Sequence, residues 1–223
     1  MAEINQVPGK ADQMAREVTR LVRHNPADRA ALRHSLGRPP EEAAPAVHRI
    51  VVPYLADNAA DALERAFYAV AALIASQPRQ ARDAAGTENG SSTRTGDAPA
   101  GEPGARAAAG LPARRPNLGE SFALAVHGKG LNAGSMENRL HLLARQDLDG
   151  LYRQLPRLVL QLRGDLVRID WGVLIRDLTR WAADPKQVAK EWMQSYYRAS
   201  ERLTRTSEPQ AGAAPAAPGN EES

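Results

Sequence analysis

A chain of 223 residues with 43% hydrophobic content is long enough to bury at least one core, and its net charge of +3 leaves 29 basic residues against 26 acidic ones. The absence of cysteine excludes disulfides, thiolate metal sites and cysteine catalysis, and points to a reducing compartment. With no basic-then-apolar leader and no apolar run near the roughly 20 residues of a membrane span, a cytoplasmic protein is predicted.

Read from the N-terminus, the apolar spacing is helical almost everywhere. Met14, Val18, Leu21 and Val22 predict a first helix over 11–23. Asn25-Pro26-Ala27-Asp28 then supplies an N-cap, a first-position proline and a first-turn acid for a second helix, which Gly37, Pro39 and Pro40 stop. A third helix is expected over 41–56, kinked or broken near Pro53, and a fourth over 59–76 through Leu63, Phe67, Val70 and Ile74. From Pro78 to Pro116, glycine, alanine, proline, serine and arginine displace the periodic apolar residues, which predicts a long disordered linker. Leu118, Phe122 and Leu124 open a fifth helix ending at His127-Gly128-Lys129-Gly130, and Ser135 is expected to cap a sixth that turns Met136, Leu140 and Leu143 inward. Asp147 or Asp149 starts a seventh through Leu151, Leu155, Leu158 and Leu162, with Pro156 as a point of bending. Asp170 caps an eighth, whose Trp171, Leu174, Ile175, Leu178 and Trp181 form one apolar stripe. Asp184, Pro185 and a capping-box partner, Gln187, open the ninth, which runs through Val188, Trp192 and Tyr196. From Thr204 to Ser223 no branched aliphatic residue remains to repay the entropy of ordering, so a disordered tail is predicted. The expectation is an all-α fold of two small helical bundles, over 1–78 and 117–203, with the linker over 79–116 and the tail over 204–223.

Candidate chemistry is sparse. The five histidines lack metal-ligand spacing, and Glu137 with His141 lacks the second histidine of a zinc-binding helix pair. His127-Gly128-Lys129-Gly130 reads as a turn, since it has neither the spacing nor the following Ser or Thr of a phosphate loop. There is no nucleophile elbow, and the acids read as solvated surface partners of the arginines, so no catalytic residue, metal or cofactor is predicted. What remains is arginine on helices and near their ends: Arg29, Arg33, Arg38, Arg139, Arg145, Arg176 and Arg180, with Lys129 in a loop. Arg29 with Arg33, and Arg176 with Arg180, share a face four residues apart. The planar guanidinium fork suits phosphate, although solvated surface is the ordinary role of any single one. Trp171 and Trp181 lie on the apolar stripe and read as core, not as base-stacking platforms.

The order of segments carries more. Arg29-Ala-Ala-Leu-Arg33-His34, Ala66-Phe-Tyr-Ala-Val-Ala-Ala-Leu73, Asn117-Leu-Gly-Glu-Ser-Phe-Ala-Leu124, Met136-Glu-Asn-Arg-Leu140 and Ile169-Asp-Trp-Gly-Val-Leu-Ile-Arg-Asp-Leu-Thr-Arg-Trp181 follow one another at spacings that resemble CasB, the small subunit of the type I-E CRISPR Cascade. The resemblance runs from about Arg16 to Tyr197 and is most specific in the Asp-Trp helix. It implies a non-catalytic helical protein inside an RNA-guided complex, beside other Cascade subunits, the guide RNA and a second copy of itself. It also implies contacts with the target and displaced DNA strands that stabilise the opened duplex, the R-loop, without sequence preference. Carried over by position, the contact residues are Arg33, Lys129, Arg139, Arg145 and Arg176; Arg29 and Arg180 are added on spacing alone. Arg33-His34 and Asn138-Arg139 stand where the family often carries adjacent arginines, and the insertion over 78–116 is longer than the family leads one to expect. The alternative is a structural adaptor whose arginines never touch nucleic acid. A helical transcription regulator fits poorly, because Pro39, Pro40 and Pro45 interrupt the region a recognition helix would need.

Overall fold

The computed structural model describes residues 7–84 and 115–207, and all regular structure among them is helical. Helix α1 (Val7–His24) buries Ala11, Met14, Ala15, Val18 and Val22 and carries Arg23 in its last turn, where the guanidinium charge complements the helix dipole. The Asn25 side chain caps α2 (Pro26–His34) by accepting from the amides of Ala27 and Asp28, and its own amide group donates to the Asp28 carboxylate at 2.7 Å. Gly37, at φ +77°, turns the chain away in the left-handed region that a side chain rarely adopts.

The third predicted helix is divided. A 3₁₀ turn (Pro40–Glu42), the short helix α3 (Pro45–Val51) and a second 3₁₀ turn (Val52–Tyr54) replace it. The break comes at Pro45, ahead of Pro53: proline forces Ala44 into extended backbone (ψ 152°), and a helix can restart only with proline in its first turn. Helix α4 (Asp61–Ser76) follows, and a short helix, α5 (79–84), reaches the edge of the described residues. Thus the first residues assigned to the linker are helical, while 85–114 lie outside the described residues.

The second segment consists of α6 (Leu118–Lys129), α7 (Ala133–Ala144), α8 (Leu148–Gly164), α9 (Trp171–Trp181) and α10 (Pro185–Ser207). Asp147, Asp170 and Asp184 accept from backbone amides three residues on, as their sequence context predicts. The cap of α7, however, is Asn132, which accepts from the Ser135 amide at 2.8 Å; Ser135 is the residue capped. Gln187 contributes its backbone to the Asp184 cap but sends its side chain to Glu191, so the capping box is only half made. Helix α10 continues through 204–207, the start of the predicted tail, and 208–223 lie outside the described residues.

The two segments share one hydrophobic core. Helix α4 is apolar on almost every face, with Phe67, Val70, Leu73 and Ile74 fully buried, and it packs against α1, α2 and α9. Helix α1 also packs on α9, so the first segment closes over the Asp-Trp helix of the second. Arg115 pins this junction: its guanidinium reaches both carboxylate oxygens of Asp12 on α1 at 2.7 Å and also pairs with Asp170, the cap of α9. On the far side α10 lies along α6, stacking Trp192 on Trp181 with ring centroids 5.0 Å apart.

Candidate nucleic-acid interface

The predicted arginines fall into three classes once their partners are known. Arg33 on α2, Lys129 at the end of α6 and Arg145 at the end of α7 are exposed and have no ion-pair partner among the described residues. Arg29 lies one turn before Arg33, half-buried and equally without a partner there. Arg139 donates one Nη to the Gln161 side-chain oxygen on α8, and Arg176 turns one edge of its fork to the Asp177 carboxylate at 3.0 and 3.2 Å, leaving other donors open. Arg180 is committed. Both of its Nη atoms donate to Glu191 on α10 at 2.7 Å, and this fork holds the Glu191 carboxyl down at about 2. The face expected to present Arg176 and Arg180 together therefore presents mainly Arg176.

Geometry adds a row that sequence reading passed over. Arg153 and Arg157 are exposed on α8, one turn apart, and Gln161 follows one turn later, where it meets Arg139 of α7. Neither Arg153 nor Arg157 has an ion-pair partner among the described residues; nearby Asp149 is taken by Arg65, which also lies 4.3 Å over the Tyr152 ring. The i,i+4 spacing that singles out Arg29 and Arg33 would have found this pair as well. These side chains can hold phosphate oxygens along α8; Trp181 and Trp192 are buried and offer no face to a base, while Trp171 is half-buried against the core.

Not all acids are solvated as expected. Asp177 is buried between α9 and α10, where it accepts from the Trp192 indole N–H at 2.8 Å as well as from Arg176. Burial pushes its carboxyl above the usual range, against the pull of Trp192 and the neighbouring arginines. Because the folded protein then binds the proton more tightly than the unfolded chain, stability falls as pH rises from the ordinary aspartate range through this raised value. Glu191 has the opposite sign: its contribution is present above about pH 4.3 and is lost as pH falls toward 2. Asp177→Asn, which keeps an acceptor for Trp192, should flatten the Asp177 part of the profile. Asp177→Ala should cost about 1–3 kcal/mol by stranding a buried indole N–H. Denaturant unfolding at pH 7 and pH 5 checks both.

Among the described residues no group of three or more His, Asp or Glu could hold a metal ion, and no helix is long and apolar enough to cross a membrane. The model of the family described as CRISPR-associated protein Cse2 (CRISPR_cse2) matches residues 28–197. A chain of a structure described as a CRISPR RNA-guided surveillance complex is 49% identical, covering 91% of this chain and 99% of its own length, with a TM-score of 0.74. A chain of such a complex in a pre-nicking form has the same identity and coverage with a TM-score of 0.75. CasB from Thermus thermophilus is 25% identical, over 84% of this chain and 97% of its own, with a TM-score of 0.53. No curated protein matches the chain. The family match spans the α2 arginines, the α8 row and the Asp-Trp helix alike, and the chain belongs to the Cse2 family of CRISPR-associated proteins.

Proposed function

We propose that this protein is the non-catalytic small subunit of an RNA-guided CRISPR surveillance complex, where it holds opened target DNA by arginine–phosphate contacts without reading sequence. The observation that carries the contact surface is the α8 row, Arg153 and Arg157, exposed and lacking carboxylate partners among the described residues. Arg145, Lys129, Arg33 and Arg29, which also lack ion-pair partners among the described residues, are the further contact residues of this reading, and Arg139 and Arg176 add their remaining donors. The complex itself is supported by the 49% identity, over 91% of this chain, to a chain of a CRISPR RNA-guided surveillance complex. Exchange of a DNA duplex for an RNA–DNA heteroduplex is close to balance energetically, so a few phosphate contacts can tip it.

A structural adaptor is the second reading, and the Arg180–Glu191 fork favours it on one face, since that arginine spends its charge on the protein itself. Purification of the tagged full chain from its native cells, with sequencing of retained RNA and mass spectrometry of proteins, tests the proposal. Repeat-flanked guide RNA with Cascade subunits and two copies of this chain is the expected result. Protein partners without RNA would favour the adaptor, and the absence of both would overturn membership of such a complex.

A further inference from the structure

A small cleft opens where the turn after α2 meets α4 and α8. Leu36, Ala69, Leu73, Leu155 and Pro156 form its apolar walls. Gly37, left-handed at φ +77°, reverses the chain here, and Arg38 follows it in the lining, exposed and without an ion pair among the described residues. Arg65 on α4 lines another side, its guanidinium 4.3 Å over the Tyr152 ring. Its ion pair with Asp149, at 2.8 Å, is made to a carboxylate that is 70% exposed, a weak and solvated partner.

Tyr152 of α8 supplies a third donor. It is buried, and its hydroxyl has no hydrogen-bond partner among the described residues, which opposes folding of the free chain. Burial also pushes the phenol above its ordinary range, so at neutral pH it keeps its proton and can donate. No carboxylate or amide side chain lines the cleft, so a ligand has to bring the acceptors and the negative charge. Size and surroundings then select among anions. The cleft leaves about 20 Å³ for the centre of a water-sized group, which admits the head of one side chain and not a nucleotide. The adjoining cleft, which shares Arg65, is lined by Glu41, Asp61, Glu64 and Asp149. Four carboxylates so near disfavour a nucleic-acid strand far more than a single carboxylate.

We propose that this cleft is a protein-docking site that takes one glutamate side chain of a neighbouring protein chain, its carboxylate held by Arg38, Arg65 and the Tyr152 hydroxyl and its methylenes lying on the apolar walls. Glutamate suits the cleft better than aspartate, because the carboxylate has to pass Leu36, Leu73 and Leu155 on a stem that can lie against them. The hydroxyl is sealed from solvent in the free chain, so entry has to shift a side chain of the lining, and Arg38, exposed and unpaired, is the one free to move. The inference rests on the reading that this chain sits beside other protein subunits, and it adds a protein contact that is separate from the α8 row.

The test measures how the labelled full chain joins the guide-RNA-bearing complex purified without this subunit, with no target DNA present, so that DNA contacts play no part. Arg38→Gln and Tyr152→Phe are each expected to join about threefold to tenfold more weakly. Tyr152→Phe should meanwhile unfold at the same or a higher denaturant concentration, because it removes a buried hydroxyl that has no partner. Weaker joining by Tyr152→Phe alone, with a lowered unfolding midpoint, would make Tyr152 a packing residue and overturn the site. Equal joining by the wild-type chain and both variants would overturn it too, while membership of the complex stands. If the wild-type chain does not join at all, the proposed function fails, and the site is decided on the full chain by itself. N-acetylglutamate α-amide is then titrated in while the Arg38 and Arg65 Nε–H signals are followed by NMR. Saturable shifts that Tyr152→Phe weakens would support the site; no shift, or a stronger response to inorganic phosphate at equal ionic strength, would overturn it.

Discussion

Gly119→Ala is expected to lower stability by about 3 kcal/mol or more, the largest single-residue effect in the α6–α10 interface. A Cβ built on Gly119 would lie 1.9 Å from the Trp192 carbonyl oxygen, 2.7 Å from its carbon and 3.0 Å from its Cα. All three atoms are backbone, so no side-chain rotation relieves the overlap and α10 must move as a body. That movement would pull Trp192 off Trp181 and off its bond to Asp177, and would draw Ser195 away from the Asn117 side chain that reaches it at 2.9 Å. Gly128, nine residues later in the same helix, has nothing within 4 Å of its built Cβ and serves as the control. Gly128→Ala should be neutral or stabilising by up to about 1 kcal/mol through helix propensity. Denaturant unfolding of both variants decides the matter; a cost below about 1 kcal/mol at Gly119 would contradict the close approach.

The second large effect is functional. Neutralising Arg33, Arg145, Arg153 and Arg157 to glutamine should reduce target-DNA affinity of the assembled complex by on the order of tenfold to hundredfold while leaving helical content unchanged. These four are the appropriate set because they are exposed and make no ion pair among the described residues, so their replacement removes charge without stranding a partner. Arg180 would be a poor choice. Its loss would leave Glu191 without the fork that holds its carboxyl down, and a drop in binding could then reflect a shifted α9–α10 contact. Arg176 carries the same difficulty in milder form, since it helps satisfy the buried Asp177. Binding by fluorescence anisotropy, with far-UV circular dichroism on the same samples, separates lost contact from lost structure.

Most of the helix boundaries were legible because their signals are local. Asn25-Pro26, Asp147, Asp170 and Asp184 announce helix starts through a side chain and a backbone amide two or three residues away. Sequence does not separate Asn132 from Ser135 as the α7 cap, because both are good capping residues and only the backbone decides between them. The interruption at Pro45 is hidden in the sequence because the flanking apolar residues keep helical spacing, while the extended Ala44 that proline imposes carries no apolar signal. Asp177 and Arg163 were within reach: Asp177 lies three residues after Leu174 and four before Trp181, and Arg163 lies four after Val159, so periodicity places both on buried faces. Treating charge as a mark of surface hid them. The partners of the arginines were illegible for a different reason, since Arg180 meets Glu191, Arg139 meets Gln161 and Arg115 meets Asp12 across separate helices or segments, where no sequence period operates. Sequence spacing therefore identifies candidate arginines but not which of them the fold already engages.

The salt dependence of target-DNA binding by the assembled complex tests the central claim most directly, because each phosphate contact adds about 0.9 to the slope of log affinity against log salt concentration. With wild-type subunit and with the Arg33, Arg145, Arg153 and Arg157 quadruple glutamine variant measured side by side, the wild-type slope should be steeper by about three to four. Parallel lines would mean that these arginines touch no phosphate, and would contradict the account.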